Sequence, residues 1–99
     1  MAAPAAGEQL NPAEEALRRV VDSQIGPRGV GAVYQNVDGA FEVVELIRDP
    51  QRARQLLRRR SAQWALIVRD QLRRDAQPFV IGSAWTSADR LLQAGGGAR

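Results

Sequence analysis

The fold of this chain depends on residues Asp49–Asp75, which read DPQRARQLLRRRSAQWALIVRDQLRRD. At about 100° per residue of α-helix, one set of apolar side chains in this stretch falls on a single face. The set comprises Ala53, Leu56, Leu57, Trp64, Ile67, Val68 and Leu72. Asp49 followed by Pro50 is a favourable helix start, and Pro78 prevents the helix from continuing. The pattern predicts one long amphipathic helix over Asp49–Asp75.

A second interpretation of this stretch stays open. In it the helix ends near Arg60-Ser61, and Trp64–Val68, WALIV, forms a strand, because aromatic and β-branched residues favour strands. Two residues bear on the choice. Leu66 falls off the apolar face, and Arg60 falls on it, where a charge needs a partner or a route to solvent. Arg60 either snorkels at the edge of the core or marks a helix break. The single helix is preferred because the apolar face keeps its phase across Ser61.

The outer face of the predicted helix is basic. Its candidate binding residues are Arg54, Arg58, Arg69 and Arg73. At 1.5 Å per residue, these four span about 28 Å, and guanidinium groups bind phosphate or carboxylate through paired hydrogen bonds. The chain contains no lysine, so all of its basic side chains are arginines. A genome rich in G and C would produce the same bias, and the row suits simple solvation equally well.

The net charge of +3 is distributed unevenly along the chain. Residues 1–47 carry three arginines and seven acids, residues 48–75 carry nine arginines and three acids, and residues 76–99 carry two arginines and one acid. The positive charge is therefore concentrated in the central segment. It could attract an anionic partner to one surface, or the acidic first half could neutralise it within the fold or in a homodimer.

A helix is expected before the central segment. Asparagine at the N-cap and proline at the first helical position make Asn11-Pro12 a well-formed start, with Glu14 and Glu15 in the first turn. Gly26-Pro27 ends it, because glycine takes the conformation that closes a helix and proline cannot continue one. The first helix should therefore end near Gln24.

A β-hairpin is expected next, over Val30–Ile47. Asp38-Gly39 at its centre predicts a two-residue turn, since an Asp-Gly pair between apolar runs is a strong hairpin signal. This register places Tyr34 opposite Val43 and Asn36 opposite Phe41. One face of the hairpin would then carry Tyr34, Phe41, Val43, Val30 and Ile47.

The last part of the chain predicts a strand and a short helix. Phe79–Trp85 is strand-like, and Thr86–Asp89 has the spacing of a capping box before Arg90–Leu92. The fold class is α+β, with a small antiparallel sheet (the hairpin plus one strand) packed against helices on one face, in the order α-β-β-α-β-α. We expect a flexible tail over residues 1–10, a single domain over 11–94 and a flexible tail over 95–99.

Missing residue types exclude most enzyme chemistry. Without histidine and cysteine, common zinc sites, imidazole bases and thiol nucleophiles are impossible, and without lysine so is Schiff-base catalysis. Glu42 and Glu45 lie three apart on a strand, which places them on opposite faces and argues against a carboxylate pair. We expect no enzymatic activity, no cofactor and no metal. An arginine and tyrosine nuclease is a distant alternative.

Two functions from different classes fit these observations. The first is a small non-enzymatic binding or regulatory module that contacts an anionic partner, nucleic-acid phosphates among them, through the arginine-rich helix. The second is a protein-interaction or assembly protein, either a homodimer or the partner of an acidic protein. Trp64 and Trp85 are expected in the core and not as platforms for stacking bases. Without a membrane-spanning stretch or a signal-peptide pattern, the expected location is the cytoplasm.

Overall fold

Two helices and five strands are formed within residues 11–96, the part of the chain that this computed structural model describes. The elements are α1 (Pro12–Ile25), β1 (Val33–Asn36), β2 (Gly39–Ile47), α2 (Pro50–Leu57), β3 (Ala65–Asp70), β4 (Phe79–Ile81) and β5 (Arg90–Gln93). The strands form one antiparallel sheet in the order β4-β3-β2-β1-β5. The predicted α+β class is confirmed. The observed element order is α-β-β-α-β-β-β. The tail predicted at residues 1–10 lies outside the described residues, as do residues 97–99 of the tail predicted at 95–99.

The two helices cover opposite faces of the sheet, which corrects the prediction of helices on one face. Val21 and Ile25 of α1 pack in a cluster with Leu66 and Val68 of β3. Ala53, the single buried residue of α2, packs in a second cluster that includes Ala65 and Ile67 of β3. This second cluster consists of Ile47, Ala53, Ala62 and Ala65, with Leu57, Ile67 and Val80 packed against it. Successive residues of a strand point to opposite faces, so β3 separates the two clusters.

The predicted helix over Asp49–Asp75 is wrong in its second half, because α2 ends at Leu57. Arg58 adopts the left-handed helical conformation (φ 55°, ψ 45°), and the backbone N–H groups of Arg58 and Arg59 both donate to the Arg54 carbonyl oxygen. This is how an α-helix commonly terminates, although glycine usually takes the left-handed position. Arg60 therefore lies beyond the helix and is exposed, as the helix-break interpretation required.

The alternative interpretation of Trp64–Val68 is the one observed, with β3 covering Ala65–Asp70. A strand buried on both faces needs apolar residues at successive positions, whereas an amphipathic helix needs them on one face. Ala65, Leu66 and Val68 are fully buried, and Trp64 is 4% exposed. Leu66 lies outside the apolar face of the predicted helix, and it is the residue in this stretch whose position favoured the strand.

The hairpin forms, but its turn lies one residue earlier than predicted. Asn36 pairs with Gly39 and Tyr34 pairs with Phe41, so Val37 and Asp38 form the turn. The side-chain oxygen of Asn36 accepts a 2.8 Å hydrogen bond from the Asp38 backbone N–H, a local turn motif typical of asparagine. Gly39 follows with φ 142°, a conformation that other residues rarely adopt.

The predicted shared face of the hairpin is partly wrong. Tyr34, Phe41 and Val43 are all buried in the cluster covered by α1. A register irregularity between Val43 and Glu45 shifts the remainder of β2, so Ile47 belongs to the cluster covered by α2. Val30, the fifth predicted member, precedes β1 and is half-exposed. Bulges of this kind insert one residue into a strand and exchange the faces beyond it.

The predicted closing helix is replaced by β5, which pairs with β1 at the edge of the sheet. The capping-type contacts do form: Asp89 Oδ2 accepts from the Thr86 backbone N–H at 2.8 Å, and Thr86 Oγ1 accepts from the Ala88 N–H at 3.1 Å. Asp89 also accepts a hydrogen bond from Asn36 on β1. This contact directs the following residues along β1, where pairing with the strand satisfies their backbone groups.

Candidate functional site

Four arginines surround a surface depression of about 430 Å³ at the end of α2. They are Arg54, Arg58, Arg59 and Arg60, here called the basic cluster, and Gln55 completes the lining. All four are exposed. The break after Leu57 creates this arrangement, because three consecutive arginines would diverge by about 100° each on a continued helix.

Two arginines of the basic cluster contact neighbouring segments at the end of α2. Arg54 Nε donates a 3.0 Å hydrogen bond to the Ala62 carbonyl oxygen, which fixes the segment after the helix against its last turn. Arg59 lies beside Gly82, where a Cβ atom would be 3.5 Å from Arg59 Nη1. The same Cβ would be only 2.6 Å from Leu57 Cδ1, so a larger residue at position 82 would require the Leu57 side chain to move.

Arg58 has an unfavourable backbone conformation. Within residues 11–96 it is the one non-glycine residue with positive φ. The left-handed conformation costs roughly 1–2 kcal/mol for a residue with a Cβ atom, and glycine avoids this cost. Arginine at this position therefore lowers the stability of the fold while adding a charge to the basic cluster. Strained residues often occur at functional sites, where the side chain has a role that its backbone does not favour.

The arginines of the basic cluster differ from Arg48, Arg52 and Arg69 in their charge environment. In the described part of the chain, three ion pairs form: Arg48 with Asp22 at 2.8 Å, Arg52 with Glu45 at 2.6 Å, and Arg69 with Glu42 at 3.9 Å. None of them includes a member of the basic cluster. The C-terminus of α2 contributes a partial negative charge of roughly half an electron, which four guanidinium groups far exceed. The depression is thus a concentrated positive surface.

The row of four arginines predicted from the sequence does not form. Arg54 and Arg58 belong to the basic cluster, but Arg69 lies on β3 beside Glu42, and Arg73 lies in the turn after β3. Their alignment required the helix to continue through Trp64. Arg59 and Arg60 were not predicted as site residues, because on a continuous helix they would point away from the predicted row.

Glu42 and Glu45 lie on the same face of β2, contrary to the prediction. The bulge between Val43 and Glu45 changes the alternation, and their cross-strand partners Arg69 and Ile67 are two residues apart on β3. Each carboxylate contacts a different arginine, Arg69 for Glu42 and Arg52 for Glu45. Within residues 11–96, no three acidic side chains are grouped so that they could hold a metal ion.

Arg28 is the second unusual arginine, and the sequence did not mark it as a core residue. It is 1% exposed, and its guanidinium carbon lies 5.2 Å, 5.6 Å and 5.6 Å from the ring centroids of Tyr34, Trp64 and Trp85. Such geometry is favourable for cation–π attraction. Burial raises the pKa of Tyr34, and the adjacent Arg28 guanidinium offsets this only in part.

Backbone oxygens satisfy the Arg28 side chain. Nε donates to the Ile25 carbonyl at 2.9 Å, and Nη2 donates to the Gln24 and Ser83 carbonyls at 2.8 Å and 2.9 Å. Arg28 therefore connects the end of α1 to the segment after β4. Because it is enclosed by protein groups, we interpret Arg28 as a structural residue, in contrast to the exposed arginines of the basic cluster.

Neither helix within residues 11–96 has the length and apolar composition needed to cross a lipid bilayer. Comparison of the chain with protein-family models, with curated proteins and with solved structures gives no match.

Proposed function

We propose that this chain is a non-enzymatic binding module that contacts nucleic-acid phosphates through the basic cluster. The observation that carries the proposal is that Arg54, Arg58, Arg59 and Arg60 line one depression, with no ion pair to any of them among residues 11–96. Guanidinium groups bind phosphate oxygens through charge-assisted, often paired hydrogen bonds. The site keeps two residues of the predicted row, Arg54 and Arg58, and replaces Arg69 and Arg73 with Arg59 and Arg60.

Nucleic acid suits this surface better than a folded acidic protein does. A duplex presents one negative charge about every 1.7 Å along its axis, so several adjacent guanidinium groups are neutralised together. A folded protein has to place each carboxylate separately, and burying an arginine without its partner is costly. An acidic protein partner, the alternative from the sequence, is therefore the second candidate and an outcome of the test below.

The proposed contact has little sequence preference. Recognition of single strands usually needs exposed aromatic side chains on which bases stack, and recognition of a duplex needs side chains that reach base edges. Among residues 11–96 no aromatic side chain lines the depression, and Trp64 is buried against Arg28. Phosphate contacts then supply most of the affinity, which makes binding strongly dependent on salt.

The proposal is tested by fluorescence anisotropy with labelled single- and double-stranded DNA and RNA at two salt concentrations. The test variant is Arg59→Ser/Arg60→Ser, and the control is Arg73→Ser/Arg74→Ser, which removes the same charge from exposed residues in the turn after β3. Both substituted pairs are exposed, so the fold should be retained in each variant. Arg54 is left in place because it also bonds to the Ala62 carbonyl.

The cluster variant should lose about tenfold or more in affinity and lower the salt slope by roughly one unit per lost phosphate contact. The control should change affinity by less than about threefold, as expected for a general loss of positive charge at a distance. Equal losses in the two variants would show that charge acts diffusely and that the basic cluster is not the site. No binding of any nucleic acid at about 50 mM salt would reject the proposal and favour the acidic protein partner.

A further inference from the structure

A cavity of about 210 Å³ opens on the same side of the sheet as α1, beside the first hairpin turn. Strands β1 to β4 and the segments next to them form its walls, and among residues 11–96 no helix residue lines it. Paired residues of neighbouring strands point to the same face, which brings Tyr34 beside Phe41 and Val68 beside Phe79. The basic cluster lies at the end of α2, which covers the opposite face, so the cavity is a separate site.

Aromatic rings form the apolar part of the cavity. The ring centroids of Tyr34 and Phe41 are 5.7 Å apart, and those of Phe41 and Phe79 are 6.0 Å apart with their planes at 85°. These separations are typical of favourable aromatic pairs. Phe79 ends the series and is 44% exposed, although it is a large apolar residue. A further aromatic ring in the cavity would extend the series, and the volume suffices because a dry apolar cavity of about 150 Å³ holds benzene.

An unpaired carboxylate, that of the exposed residue Asp38, lies at the rim of the cavity. Within the described residues its oxygens accept no hydrogen bond and form no ion pair. The neighbouring Asn36 side chain is already engaged, because it accepts from the Asp38 backbone N–H and donates to Asp89. Asp89 thereby adds a second negative charge near the same rim. The rim attracts a cation, and the apolar rings beside it reduce the screening of this attraction by water.

A positive charge lies behind the Tyr34 wall of the cavity. The Arg28 guanidinium carbon is 5.2 Å from the Tyr34 ring centroid, and Nη2 donates to the carbonyl of Ser83, which also lines the cavity. Arg28 is 1% exposed, so its guanidinium group does not reach a ligand directly. It repels a cation placed over Tyr34. The favourable place for a cation is therefore beside Asp38, and the rings of Phe41 and Phe79 remain for an apolar group.

We propose that this cavity binds a small arylalkylamine, which is an aromatic ring joined by a short chain to a protonated amine. The ring packs against Phe41 and Phe79, and the ammonium group donates to the Asp38 carboxylate. Binding here uses none of the arginines proposed to contact nucleic acid, so it is a further binding activity of the chain and does not depend on the first.

Three probes of similar size and different charge test the proposal by NMR titration of the full isotope-labelled chain at about pH 7. Phenethylamine is the cation, phenethyl alcohol is its neutral counterpart, and phenylacetate is the anion. The amine should shift the backbone resonances of Asp38, Phe41 and Phe79 with a dissociation constant of roughly 1 mM, as expected for so small a ligand. The alcohol should bind at least about threefold more weakly, and phenylacetate should not bind up to about 20 mM.

Two substitutions separate the role of the charge from that of the rings. Asp38→Asn keeps the size of the side chain and should weaken the binding of phenethylamine by at least about threefold, with phenethyl alcohol unaffected. The control is Glu15→Gln, which removes the same charge from an exposed residue of α1 outside the cavity and should leave both affinities unchanged. Phe79→Leu keeps an apolar side chain but removes the ring, so it should weaken the binding of both probes alike.

The NMR spectrum of each variant shows whether it is folded, and the probe series on the native chain needs no variant. Amine-induced shifts confined to residues outside the cavity, or no shifts up to about 20 mM, would overturn the proposal. Equal affinities for the amine and the alcohol would also overturn it, as would full amine affinity in Asp38→Asn, because the carboxylate would then have no part in binding. Full affinity for both probes in Phe79→Leu would overturn the placement of the ring.

Discussion

Asn36 Nδ2 donates a 3.0 Å hydrogen bond to Asp89 Oδ1, and this bond joins the turn of the first hairpin to the turn that begins β5. Both residues also organise their own turns. Asn36 Oδ1 accepts from the Asp38 backbone N–H at 2.8 Å, and Asp89 Oδ2 accepts from the Thr86 N–H at 2.8 Å. Two short polar side chains thus position the strand at one edge of the sheet.

Asp89→Ala should destabilise the protein by roughly 1–2 kcal/mol at neutral pH, because the carboxylate accepts several hydrogen bonds. Partial burial opposes its ionisation, but bonds from Asn36 and Thr86 outweigh this and hold the pKa of Asp89 below its ordinary value of 3.8. Because the pKa of Asp89 is lower in the folded chain than in the unfolded chain, the ionised carboxylate stabilises the fold above the ordinary value of 3.8. This stabilisation is lost as the pH falls through the folded-state pKa. Urea denaturation between about pH 7 and about pH 2 should therefore show the two proteins converging at low pH.

The control for this measurement is Asp75→Ala, which removes the same charge from an exposed turn. Within the described residues, the Asp75 side chain forms no hydrogen bond or ion pair. The free energy of unfolding of the Asp75→Ala variant should change with pH in the same way as that of the native chain. If the free energy of unfolding of Asp89→Ala also followed that of the native chain across the pH range, the bond between Asn36 and Asp89 would contribute nothing to the attachment of β5.

The elements predicted correctly from the sequence are those specified by local chemistry. The asparagine N-cap that starts α1, the proline that starts α2 and the presence of a hairpin all depend on neighbouring residues. The errors arise where distant contacts decide. Trp64–Val68 is compatible with a helix or a strand by itself, and burial on both faces selects the strand. Thr86–Asp89 forms its local contacts, but the bond from Asn36 directs Arg90–Gln93 into a strand.

The candidate site was only half predictable for the same reason. Arg54 and Arg58 lie on or beside α2 in both the predicted and the observed fold. Arg59 and Arg60 join them because Arg58 reverses the backbone, and no local propensity makes arginine the favoured residue for that conformation. Arg28 gave no signal, since the three rings around it come from separate parts of the chain.

Arg28→Lys should destabilise the fold by roughly 2 kcal/mol or more, and Arg28→Ala should destabilise it further. Lysine has one nitrogen in place of the Nε and Nη2 groups through which Arg28 bonds to the carbonyls of Ile25, Gln24 and Ser83. Alanine also removes the planar group packed among three aromatic rings, leaving a cavity and unsatisfied carbonyl oxygens. Urea denaturation followed by tryptophan fluorescence measures both effects.

The matched control for Arg28 is Arg90→Lys, made on an exposed residue of β5. That change should shift the free energy of unfolding by no more than about 0.5 kcal/mol. A similarly small shift for Arg28→Lys would mean that a charge alone suffices at position 28 and that the hydrogen-bond geometry of the guanidinium is unimportant.

Arg58→Gly should increase stability and weaken nucleic-acid binding in the same protein. Glycine adopts the left-handed conformation of position 58 without the steric cost borne by arginine, so we expect a gain of up to about 1 kcal/mol. The loss of one guanidinium from the basic cluster should lower affinity and reduce the salt slope by about one unit or less. Thermal unfolding and fluorescence anisotropy at two salt concentrations measure the two effects separately.

The control is Arg59→Gly, which removes the same charge at a residue without positive φ and should therefore weaken binding with no gain in stability. If Arg58→Gly bound nucleic acid as tightly as the native chain, the strained arginine would have no part in binding, and the proposed site would lose its central residue.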